Sequence, residues 1–118
     1  MKYTIKGTNI QLTKDLTMYI EKKMDVLDKF AAHFGPSIAA QVEVGRTSRH
    51  HRTGDVFRVE VQVHVPGKEL RAEATKKSVF EAMDAVKDEI QKELERRKDK
   101  EVDAKRRGGA HLKKILRE

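Results

Sequence analysis

Apolar residues return at two different periods along the chain, and the switches between them divide it into elements. In residues 2–6, Tyr3 and Ile5 alternate with Lys2, Thr4 and Lys6, which predicts a first strand ending near Gly7 and Asn9. The period then lengthens. Leu16, Ile20, Met24, Leu27, Phe30 or Ala31, and Phe34 recur every three or four positions, a helical stripe capped by Thr13 and stopped by Gly35 and Pro36. Residues 38–44 return to a β-like pattern. After an intervening loop, Phe57, Val59, Val61, Val63 and Val65 alternate strictly with Arg58, Glu60, Gln62 and His64, the clearest strand in the chain. Pro66 and Gly67 supply the fixed and the positive φ of a tight turn, and Leu70, Ala72 and Ala74 continue the alternation into a fourth strand.

The last element organises the others. Val79, Ala82, Met83, Val86, Ile90 and Leu94 sit at helical spacing, and Ser78 with Glu81 three places later forms a capping box that marks the start. This predicts a helix over 79–98, roughly 30 Å long at the α-helical rise. No Gly or Pro intervenes before Gly108, so the helix is free to continue. The order is β-α-β-β-β-α. Every strand is apolar on one side only, so the expected fold class is α+β: a four-stranded, mainly antiparallel sheet with both helices packed on its single apolar face. The other face carries four cations (Lys2, Lys6, Arg58, Arg71) against four acids (Glu43, Glu60, Glu69, Glu73). It has no aromatic residue on which single-stranded bases could stack.

Charge sharpens this picture. The formal net charge is +7 in 118 residues, which favours an anionic partner. Residues 101–118 hold six Lys or Arg against three acids, so the expected division is a domain over 1–100 and a basic, flexible tail over 101–118. The tail fits either an arm that folds on a partner or a short terminal helix docking back on the domain. Along the long helix, Glu81, Asp84 and Asp88 make the early solvent face acidic. Lys92, Arg96, Arg97, Lys98 and Lys100 make the later part basic, with Lys87 on a flank beside Lys98. Cations there also complement the negative end of the helix dipole.

A second basic cluster is the loop 46–52, RTSRHHR, where Arg46, Arg49 and Arg52 offer fork-shaped donors suited to phosphate; an ordinary solvated hairpin loop is the competing reading. His50 and His51 are adjacent and diverge, and no Cys is present, so no metal or other cofactor is expected. His33 reads as a helix C-terminal dipole partner and His64 as a sheet-surface residue. The acids of the long helix lie on an open face that shelters no carboxyl pair, and no phosphate-binding glycine loop or nucleophile elbow occurs; an enzyme acting on a small-molecule substrate is not expected. No apolar run reaches membrane-spanning length and the amino terminus reads as a strand, so no membrane contact and a cytoplasmic location are expected.

Three segments, MKYTIKGTNIQLTKDLTMYIEKKMDVLDKF, VEVQVHVPGKELRAEAT and VFEAMDAVKDEIQKELERRKDK, resemble the ribosome hibernation promoting factor and ribosome-associated inhibitor family over roughly residues 1–100. The resemblance implies a β-α-β-β-β-α fold similar to double-stranded RNA-binding domains. It also implies a non-catalytic inhibitor, a monomer off the ribosome, that binds small-subunit rRNA where messenger and transfer RNA would lie. Arg96, Lys98 and Lys100 look like the family's alternating lysine run, and Lys92 falls where another cation is common. Ser78 replaces a usual Asp, Phe80 a usual Tyr, and Glu89 a common Lys. Long members carry a second domain that pairs ribosomes; this chain resembles the short type. Two other readings stay open at the level of sequence: a general double-stranded RNA binder, and a protein-binding regulator that uses the acidic early face of the long helix.

Overall fold

The computed structural model describes residues 1–47 and 56–117, with side chains through Arg106. The chain runs β1 (Lys2–Thr8), α1 (Lys14–Ala31), β2 (Ala39–Arg46), β3 (Phe57–Val65), β4 (Lys68–Lys76) and α2 (Val79–Arg117), with a single 3-10 turn, Ala32–Phe34, closing α1. The strands lie side by side in chain order. β1 pairs parallel with β2, and the other two pairings are antiparallel. A parallel pair cannot be joined by a tight turn, and α1 supplies the crossover.

Register explains why one face is dry. Ile5, Val42, Val61 and Ala72 are successive cross-strand partners, and they line up on the side covered by the helices. There Ile20, Met24 and Leu27 of α1 and Met83, Val86, Ile90 and Leu94 of α2 close a continuous core on the β-branched residues of β2 and β3. One residue along, the row is Lys6, Glu43, Glu60 and Glu73, which sets three carboxylates directly opposite one another. Such rows repel. Arg58 and Arg71, in the flanking rows, offset the repulsion: Arg58 donates to Glu60 at 2.7 Å and also to Glu73, and Arg71 reaches Glu60 at 2.6 Å. Gln62 adds a further bond to Glu60 at 3.2 Å. Glu60 is only 8% exposed. Burial works against its charge, but the bonds from Arg71 and Arg58 prevail and hold the carboxyl below its ordinary value.

The predicted N-cap residues are in place, with the serine half of the Ser78–Glu81 box formed. Thr13 accepts from the Leu16 amide at 3.3 Å and Ser78 from the Glu81 amide at 3.2 Å. Gly35 (φ 101°) and Gly67 (φ 78°) occupy the positive-φ positions that end α1 and turn the β3–β4 hairpin. β1 continues through Gly7 to Thr8, two residues beyond the alternating stretch. α2 passes through residue 100, where the sequence places the start of the tail, and its backbone stays helical to Arg117. Its 39 residues correspond to roughly 58 Å of helix, which accounts for the 68 Å long axis of the molecule.

Candidate RNA-binding surface

Leu94 is the last fully buried residue of α2 among those described. One turn on, Arg97 marks where the helix leaves the sheet, its guanidinium donating to the Pro66 carbonyl at 3.4 Å in the β3–β4 turn. Beyond it, the 3-10 turn that closes α1 holds the helix by one polar contact among the described residues, His33 Nε2 to Glu101 at 3.0 Å. The sequence anticipates a dipole role for His33 but not this partner, which becomes visible only once α2 is seen to extend past the core.

Each residue turns an α-helix by about 100°, so positions two apart face nearly opposite ways. The alternating trio Arg96, Lys98 and Lys100 therefore does not form one patch. Arg96 and Lys100 border a shallow depression with Lys68, Leu70, Glu93 and Arg97 on the β4 side, and Lys92 precedes them by one turn. Arg96 also donates to Glu93 at 2.7 Å. Lys98 faces α1, where Lys29, Phe30, Ala32, His33, Leu94, Glu95 and Asp99 line a cleft of about 750 Å³ with it. Lys87 lies on the same flank as Lys98, half-buried and paired with Asp88 at 3.3 Å. Lys29 and Lys68 were not singled out from sequence. Lys68 directly follows the Pro66–Gly67 turn, a position that could have placed it beside the end of α2.

The cations differ in what they already hold. On the sheet's polar face, Arg58 and Arg71 are engaged by Glu60 and Glu73. Among the described residues, Lys92, Lys98 and Lys100 form no ion pair. Arg46, at the end of β2, is exposed and stands 5.8 Å from the centre of the Phe57 ring. Arg49 and Arg52 lie outside the described residues.

The acidic early face of α2 is smaller than its sequence implies. Asp84 turns toward α1, accepting from the Tyr19 hydroxyl at 2.5 Å and pairing with Lys23 at 3.1 Å. Burial opposes its ionisation, yet these two partners keep its carboxyl below the ordinary value. Asp84 in turn raises the Tyr19 phenol and the Lys23 ammonium above theirs. Among the described residues no helix is long and apolar enough to cross a membrane, and no group of three metal-ligating side chains forms.

A mixed four-stranded sheet backed by two helices is also the architecture of a ribosomal subunit interface protein from Coxiella burnetii, which superposes with a TM-score of 0.63 over 84% of this chain and 99% of the other at 16% identity. The N-terminal domain of Protein Y from Thermus thermophilus matches with a TM-score of 0.66 at 25% identity, over 81% of this chain and 98% of that domain. The family described as Sigma 54 modulation protein / S30EA ribosomal protein matches residues 3–102, and the chain belongs to it. Among its relatives, the ribosome hibernation promotion factor of Picosynechococcus sp. is 28% identical over 100 residues, covering 85% of this chain and 50% of the relative. The ribosome hibernation promoting factor of Azotobacter vinelandii is 25% identical over 103 residues, covering 87% and 88%. The chain thus spans about half the length of the first of these and most of the second.

Proposed function

We propose that this chain binds the small ribosomal subunit through backbone phosphates of its rRNA, in the channel that messenger and transfer RNA use, and so silences idle ribosomes without catalysis. The observation that carries this reading is the distribution of engaged and open cations. The sheet's polar face neutralises its own arginines, whereas α2 carries Lys92 on its outer side at the end of the core and Lys98 and Lys100 past it, with no acidic partner among the described residues. Such an arrangement suits an extended polyanion. Residues 101–118 extend the basic sequence of α2 along an rRNA groove, and Arg46, Arg49 and Arg52 supply further phosphate contacts. Membership in the family and the names of the relatives support this choice of partner.

Co-sedimentation with isolated small and large ribosomal subunits, at two salt concentrations and with free duplex RNA as competitor, tests the proposal. Saturable binding to the small subunit that duplex does not displace is the expected result. Equal binding to both subunits and to duplex, vanishing with salt, overturns it.

A further inference from the structure

The two α2 flanks differ in more than charge. On the α1 side, next to the start of the helix, stands Phe80, 41% exposed. Its residue type is costly in water, and the helix has buried positions on either side of it at Val79 and Ala82. Tyr19 braces it from α1: the two rings meet edge to face with centroids 4.8 Å apart and planes at 76°. An edge contact occupies at most one face of either ring. The Tyr19 hydroxyl is fixed by Asp84, so the phenol cannot turn away, and the Lys23 ammonium lies 5.3 Å from the Tyr19 ring centre. Asp84 itself is answered by Lys23. The only other large hydrophobic residue this exposed among those described is Met18, which lies two positions from buried Ile20 and thus on the outer side of α1.

Phe80 is also in phase with the cations. Eighteen residues are five full helical turns, so Lys98 lies on the same flank about 27 Å away, and Lys87 lies close to that line between them. An open aromatic ring that meets Tyr19 edge to face, with Lys87 and Lys98 further along the same helix flank, matches the chemistry of a flipped-out or unpaired nucleobase, whose ring stacks while its backbone follows positive charge. A fully paired duplex hides its base faces and has nothing to offer such a ring.

From this geometry we infer that Phe80, braced by Tyr19, is a stacking platform for one unpaired base of the bound RNA. The inference rests on the RNA-binding reading above and adds to it a preference for unpaired over paired segments. It also gives the α1-facing flank a base contact in addition to its phosphate contacts.

The chain contains no tryptophan, so Phe80→Trp in the full chain introduces a single tryptophan, excitable apart from Tyr3 and Tyr19, while keeping an aromatic ring there. Its emission is expected to fall when the protein is titrated with small subunits or with a synthetic hairpin RNA carrying a single-stranded loop, and to change little with a fully paired duplex at the same salt. Phe80→Leu, which keeps an apolar side chain but no ring, is expected to bind the loop RNA roughly tenfold more weakly with an unchanged salt slope, the signature of a lost stack rather than a lost phosphate contact. If Phe80→Leu binds loop RNA as the parent does, or if the tryptophan responds equally to duplex and loop, the platform is refuted. If Arg96→Ala with Lys100→Ala then still weakens binding, the phosphate reading survives that refutation; if the parent chain binds no RNA at all, both fail together. A tryptophan that responds instead to small subunits stripped of rRNA contacts, as judged after nuclease treatment, assigns the ring to a protein surface and refutes the inference.

Discussion

Arg96 and Lys98 stand on nearly opposite flanks of α2, the first beside Lys68 at the start of β4 and the second across the cleft from Lys29 of α1 and His33 of the turn that closes it. If RNA engages both flanks, their contributions come from separate phosphates. Arg96→Ala and Lys98→Ala are each expected to lower the salt slope of small-subunit binding by about one, and to combine additively. Arg96→Ala with Lys100→Ala, neighbours on one flank, should combine less than additively. Affinities measured at four or five salt concentrations check this, and a combined Arg96/Lys98 effect no larger than either alone contradicts it.

Removing residues 101–118 takes away six cations and three acids. All lie beyond Leu94, the last buried residue of α2 among those described, and the exposed His33–Glu101 contact is the one described tie lost, so thermal unfolding of the body should move little while ribosome affinity and its salt dependence both decline. Unchanged binding would show that the extension is not part of the RNA surface.

Two carboxyls, Glu60 on the sheet and Asp84 on α2, make stability depend on pH. The Glu60 and Asp84 carboxyls both lie below their ordinary values in the fold, so the unfolded chain binds more protons in the window between depressed and ordinary values. Their stabilisation is complete above the ordinary carboxylate range, declines as pH falls through that window, and is gone below the depressed values. Urea unfolding at pH 7 and pH 3 should show this loss. Glu60→Gln should be less stable at pH 7, by roughly 1–2 kcal/mol because Arg58 and Arg71 are partly exposed, and should show a flatter pH dependence.

Tyr19→Phe removes the hydroxyl that Asp84 accepts but leaves the ring against Phe80 and the Lys23 pair in place. A loss of about 1 kcal/mol in chemical denaturation is expected.

Gly67→Ala forces a side chain into a positive φ, 78°, and brings its Cβ to 3.4 Å from the Arg97 guanidinium. The expected cost is about 1–2 kcal/mol, read as a lower denaturation midpoint with an unchanged slope.

Much of this fold is written in local pattern. Strict alternation in Phe57–Val65, the Pro66–Gly67 turn and the Ser78–Glu81 cap each specify their element without reference to distant residues, and all three are observed. The α2 candidates were legible as a basic run, but not as two flanks. Which side of a helix meets α1 and which meets β4 depends on packing angles that periodicity does not carry. Asp84 illustrates the limit: projected on an isolated helix it faces solvent, yet α1 brings Tyr19 to it from 65 positions away in the chain. Phe80 shows the same limit from the other side, since its edge-to-face contact with Tyr19 joins residues from two helices that no local pattern connects.

The continuity of α2 makes the molecule a ruler with a phase. From Phe80 to Lys100 the separation is set by peptide count alone, about 30 Å, and the bearing of every side chain on that line is set by the same count. Inserting one residue after Leu94 would lengthen the line by only about 1.5 Å, but it would rotate all that follows by about 100°. The core would remain closed while each downstream cation pointed in a new direction. Evolution can therefore change side-chain chemistry along this helix far more freely than it can change the number of residues in it.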